Sequence, residues 1–140
     1  MGIAYQTAYA DVYSRVKTDA DGAAVRALAG SASSVFPADE LGNVTGKVFP
    51  WLVWRPVAVG GTSGEMRDLA GSWWVYDAPG AGSYRLYQIA SALEALYGGV
   101  NVLDMPYART FVTHIGRPET DAALNGAVGL EVRIGYRRLG

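Results

Sequence analysis

Hydrophobic positions in the first part of the chain recur at helical spacing. Tyr5, Ala8, Tyr9, Val12 and Val16 share one face of a segment from Ile3 to Lys17, while Asp11 and Arg15 sit one turn apart on the other face. Asp19 or Asp21 is placed to cap a second, short helix in which Ala24, Val25 and Leu28 face inward before Gly30 stops it. Residues 31–47 are small and polar, a connection with a short extended piece at Val35 and Phe36. Val48 to Val57 is dense in β-branched and aromatic residues, and Pro50 and Pro56 confine it to a sheet edge, a strand start or a bulge. The glycine-rich stretch from Ala58 to Arg67 leads to a second strand, Ser72 to Asp77, and an antiparallel hairpin is the simple reading.

Ala78 to Gly82 breaks that strand, and Ser83 stands at an N-cap position. Leu86, Ile89, Ala90, Leu93, Leu96 and Tyr97 then form the cleanest helical stripe in the chain, ended by Gly98 and Gly99. After a linker with Pro106, Arg109 to Ile115 alternates as a strand, and a loop from Gly116 to Gly126 follows. In the last strand Val128, Leu130, Val132, Ile134 and Tyr136 alternate with Gly129, Glu131, Arg133, Gly135 and Arg137, a pattern wet on one side. The order α-α-β-β-α-β-β predicts an α+β fold: a mainly antiparallel four-stranded sheet with helices packed on one face.

The first hairpin departs from that simple picture. Phe49, Trp51 and Val53 alternate with Leu52 and Trp54 on one strand; Trp73 and Val75 alternate with Trp74 and Tyr76 on the other. Both faces are apolar, whereas three helices, one of them a stub, cover only one. Burying two tryptophans at about 25 cal/mol per Å², over ~150–250 Å² each, is worth several kcal/mol of association. The candidate subunit-interface residues are therefore Trp51, Trp54, Arg55, Trp74 and Tyr76, with Met66 and Arg67 in the adjoining loop. The competing reading is that loops fold over the second face, or that a bulge at Pro50 or Pro56 turns the side chains inward.

At 140 residues the chain suits a single domain, 1–140. Half of the residues are hydrophobic and 18% charged, which excludes a disordered tail. Twelve Lys and Arg against 13 Asp and Glu leave a net charge of −1, so a generic phosphate-backbone binder is not expected. The absence of cysteine excludes a disulfide framework, a zinc ribbon and a thiol nucleophile. No basic and apolar leader opens the sequence, and no apolar run approaches the ~20 residues of a membrane span, so a soluble product made inside a cell is expected.

Catalytic signals are sparse. His114 is the one histidine, and no Gly-x-Ser-x-Gly elbow accompanies it, so a strand histidine is preferred to a Ser-His-Asp nucleophile. Asp19 and Asp21 form a close acidic pair, better explained by helix capping than by metal binding. Gly80-Ala-Gly-Ser-Tyr-Arg85 is a Gly-x-Gly turn before a helix, where backbone amides and Arg85 would hold an anion; without a third glycine and a parallel βαβ unit, a tight turn is favoured. Arg137 and Arg138 read as a solvated end. No enzyme activity, metal or cofactor is expected.

The order of elements nevertheless resembles a family. An N-terminal helix, a stub ending near Val25-Arg-Ala-Leu-Ala-Gly30, and Phe49-Pro-Trp-Leu-Val-Trp54 are similar to the start of small tail-terminator and tail-completion proteins of long-tailed bacteriophages. Trp73-Trp-Val-Tyr-Asp77, the helix from Tyr84 to Leu96 and the closing strand from Gly129 to Tyr136 continue the likeness over nearly the whole chain. The resemblance implies a virion structural protein without catalysis or cofactor, assembled in the host cytoplasm. Its subunits would form a homo-oligomeric, commonly hexameric ring that caps the tail tube and joins it to the neck or connector. Its partners would be itself, the tube protein and the neck protein, with no membrane and no sequence-specific nucleic acid. Two alternatives stay open: a head–tail connector or neck completion protein, and a monomeric domain holding a small anionic or aromatic ligand near Trp54, Trp74, Gly82 and Arg85. A hydrolase built on His114 is a third.

Overall fold

The four strands expected from alternation form the middle of the sheet, and three short strands join them at its margins. The computed structural model describes residues 12–56, 71–98, 100–102 and 105–138. Residues 12–17 are helical (α1), and α2 spans Ala23–Leu28. β1 (Val35–Pro37), β2 (Trp51–Pro56) and β3 (Gly71–Asp77) precede α3 (Tyr84–Tyr97). β4 (Val100–Val102), β5 (Met105–Ile115), β6 (Glu119–Asp121) and β7 (Ala127–Arg138) follow. The fold is α+β with one mixed, mostly antiparallel open sheet ordered β1-β2-β3-β7-β5-β4, and β6 pairs beside β5 along β7.

The expected four strands thus become seven. β1 lies parallel to β2, a pairing that no hairpin spacing announces. β4 and β6 are three residues each, too short to show a period, and β6 carries Glu119, Thr120 and Asp121 in what reads as a polar loop. Because β1 covers the outer side of β2, the proline-bearing strand is internal rather than an edge; Pro50 precedes it, after a cis Phe49–Pro50 bond, and Pro56 ends it. β7 runs through Arg138, so the backbone of Arg137 and Arg138 lies in the sheet opposite Arg109 and Ala108; their side chains lie outside the described residues.

Leu52, Trp54, Trp73, Val75, Leu130, Val132 and Ile134 face the helices and pack with Val12, Val16 and Val25 and with all six residues of the α3 stripe. Ala24 is exposed rather than inward, because α2 has only six residues and turns a single side, Val25, to the core. Two glycines make room for rings: Gly71 lies under the Trp54 indole, and a Cβ at Gly129 would come within 2.6 Å of the Tyr76 ring. Tyr97 holds the layers together. Its hydroxyl accepts from Trp73 Nε1 at 3.0 Å and donates to the Val12 carbonyl at 2.6 Å, so β3, α3 and α1 share one buried relay. Arg26 Nη1 donates to the carbonyls of Val16 and Asp19, both at 2.7 Å, and fastens α2 to the end of α1.

The second face of the hairpin is covered as well. Phe36 from β1, the 3-10 turn Ala38–Gly42 with Leu41, then Val44 and Phe49 close over Trp51, Val53 and Tyr76 from one side. Leu124 and Ala127 close from the other. The inference that a single copy lacks the means to hide these rings is therefore corrected: Trp51 is 6% exposed, Trp54 4%, Trp73 0% and Tyr76 2%. The segments that do this read as irregular connections, and their reach over the sheet depends on the long-range β1–β2 pairing.

Replacing Tyr97 with Phe leaves Trp73 Nε1 and the Val12 carbonyl short of this partner, and should cost about 1–3 kcal/mol in urea unfolding with an unchanged slope. Gly129→Ala should cost a similar ~1–3 kcal/mol, by forcing the Tyr76 ring off the strand.

Candidate functional site

The sheet face turned away from the helices carries the polar side chains of the central strands in ordered rows. The register sets Trp51 beside Tyr76 and Gly129, Val53 beside Trp74 and Glu131, and Arg55 beside Ser72 and Arg133, with His114 next to Arg133. Among the described residues, the covering turns gather at the Trp51–Tyr76 end. Beyond them lies a shallow depression of about 290 Å³, bounded by Trp74, His114, Gly116, Arg117, Glu119 and Glu131.

Trp74 is its apolar wall. The indole stacks on Tyr76 with ring centres 6.1 Å apart, and the Arg55 guanidinium stands 6.0 Å from its centroid as a cation–π partner. Burial pushes the Tyr76 phenol above its ordinary pKa, opposed by a hydrogen bond and the charge of Arg55. Glu131 accepts from Ser72 Oγ at 2.5 Å and lies 3.4 Å from Arg133, so its carboxylate is held in the row. Trp51 Nε1 and Arg55 Nε are buried without a hydrogen-bond partner among the described residues.

Among the proposed interface residues, Trp51, Trp54 and Tyr76 are interior, which corrects their assignment to a free surface. Trp54 is on the helix side altogether, packed against Trp73 at 5.3 Å. Arg55 and Trp74 are half-buried and adjacent on the open part of the outer face. Met66 and Arg67 lie outside the described residues. The ligand site expected near Trp54, Trp74, Gly82 and Arg85 is not assembled, since the two indoles point to opposite faces.

Arg85 has another task. Its Nε and Nη2 form a two-pronged ion pair with the fully buried Asp77, at 2.9 and 2.5 Å, and Asp77 also accepts from the Ala78 amide. This pair raises the guanidinium pKa further. The anion-binding turn loses its cation to the carboxylate of the last residue of β3, and Gly80 and Gly82, with φ of +77° and +80°, serve the turn itself. Ser83 takes the N-cap position of α3 without a side-chain cap bond, and so does Asp19 ahead of the 3-10 turn Ala20–Gly22. The capping role assigned to Asp19 and Asp21 is therefore not fulfilled by the Asp19 side chain.

His114 is exposed and lies opposite Arg133 across the strands. Ser72 is buried and donates directly to Glu131 with no imidazole between them, which is not the arrangement of an activated nucleophile. No group of three or more His, Cys, Asp or Glu residues suited to a metal ion occurs among the described residues. A second groove of about 370 Å³ runs between α2 and α3, with Asp21 at its rim and Ala24, Ala92 and Ala95 in its walls.

The polar partners of Trp74 were not evident from local pattern. Alternation marks Glu131 and Arg133 as one face of β7, but only the β3–β7 pairing sets them beside Trp74.

Arg85→Ala strands a buried carboxylate and should cost about 1–3 kcal/mol by chemical denaturation, the exposed half of the pair limiting the loss. Adding Asp77→Asn should recover part of it.

No protein-family model matches the chain, and no curated protein matches it. A solved structure is similar at 23% identity over 66% of this chain and 69% of that one, with a TM-score of 0.39, a likeness too slight to carry an argument.

Proposed function

We propose that this protein is a structural assembly subunit, a ring-forming tail terminator-like protein of a phage or phage-derived particle. The observation that carries the reading is the part of the outer sheet face that the described turns do not cover: a half-buried indole, Trp74, with Arg55, Arg117, Glu119 and Glu131 around it. An aromatic anchor within a rim of both charges is the usual composition of a protein–protein contact. The order of helices and central strands on which the family resemblance rests supports the same reading. The mechanism is mechanical: subunits join through this face and its surroundings, the ring closes, and a flat surface ends tube growth and receives the neck.

The interface is narrower than the hairpin as a whole, centred on Trp74 and Arg55 rather than on Trp51, Trp54 and Tyr76. A neck or head-completion subunit would use a comparable contact, and the choice between them turns on which purified neighbour binds.

Light scattering across micromolar concentrations, alone and with tube subunits, should show a closed oligomer, and Trp74→Ala should weaken association by roughly tenfold or more. A strictly monomeric profile with no affinity for tube protein would overturn the reading.

A further inference from the structure

Tyr84 and Tyr87 are unusual in being large, aromatic and out in solvent, 77% and 47% exposed. Three residues apart in the first turns of α3, they are neighbours on the helix surface, while the buried stripe of the same helix faces the sheet. The depression beside Trp74 opens on the opposite side of that sheet. One copy has both a knob and a hole, and its own sheet stands between them.

Resting on the ring-forming reading above, we propose that the Tyr84–Tyr87 knob of one copy seats in the Trp74 depression of the next. The chemistry of the two surfaces is complementary. The depression, at about 290 Å³, offers an indole wall to a phenol ring, with Glu131 and His114 at hand for its hydroxyl. Arg85 stands next to Tyr84, half exposed, with Nε and Nη2 spent on Asp77 and Nη1 remaining; the exposed carboxylate of Glu119 at the rim is its charge partner. Because the two surfaces differ, the contact is head to tail, and repeating it builds a ring wherever the rotation closes. Two phenols bury roughly 300–500 Å² on the knob side and a like area in the hole, close to the about 1,000 Å² in total that a specific pair needs, so a single contact forms a pair and ring closure strengthens the assembly.

Two surface variants of the full chain test this by light scattering. Tyr84→Ser with Tyr87→Ser removes the knob. Gly116→Trp fills the hole, and it is tolerable because the nearest atom to a Cβ there, the Glu131 carbonyl oxygen, is 3.5 Å away. Each variant alone should stay monomeric, and an equimolar mixture should stop at one-to-one heterodimers. Tyr84→Phe with Tyr87→Phe should still assemble. Since the chain has no cysteine, Tyr87→Cys combined with Arg117→Cys should give an oxidative ladder beyond dimer that neither single cysteine produces. Variants that assemble like the wild-type chain, a mixture that stays monomeric, or a ladder that ends at dimer would each overturn the contact and leave the ring reading standing. A wild-type chain that remains monomeric throughout would overturn the contact, and one that also shows no affinity for tube protein would overturn the ring reading with it.

Discussion

A strand pair with bulky apolar side chains on both faces has to be covered twice, and this requirement organises the molecule. The helices meet it on one side, where Trp73 packs against Trp54 and Tyr13 and gives its indole proton to Tyr97. The chain's connecting segments meet it on the other, where Phe36, Leu41 and Leu124 enclose Trp51 and Tyr76. Each indole that goes inside adds hydrophobic stabilisation, at the entropic cost of ordering turns that have little regular structure of their own.

The parallel β1 strand makes the second cover feasible. By pairing along β2 it carries Phe36 onto the outer face and delivers the turn Ala38–Gly42 across the sheet. Lys17 secures this arrangement from the helix side, donating to the carbonyls of Ala32 and Val35 at 2.9 and 2.6 Å. Lys47 does so from the other side, over the Phe36 ring at 4.4 Å and bridged to Glu40 at 3.1 Å. Among the described residues this cover centres on Trp51 and Tyr76 and leaves Trp74 half-buried at its margin.

Polar groups that look free in the primary structure are largely committed. Arg85 belongs to Asp77, and Glu131 to Ser72 and Arg133. Such pairs keep charge near the sheet without leaving it unsatisfied, and they withdraw the cation on which an anion-binding turn would depend. What remains accessible beside them among the described residues is the Trp74 indole with a rim of both charges.

Local pattern was sufficient for the central elements. Period-2 alternation identified β2, β3, β7 and the second half of β5, and the 3.6-residue stripe in α3 named all six of its buried positions, because both signals come from neighbours in the chain facing a common core. The same alternation sorted the hairpin residues correctly between two faces. It was silent on what lies over each face, since that depends on contacts between residues far apart in sequence: Val35 with Leu52, Trp74 with Glu131, Tyr97 with Val12. Those distant pairings placed three of the four tryptophans in the interior and left Trp74 half-buried. Composition and spacing are the same for a buried indole and a half-buried one; the difference arises only when distant segments of the chain close over one ring and not another.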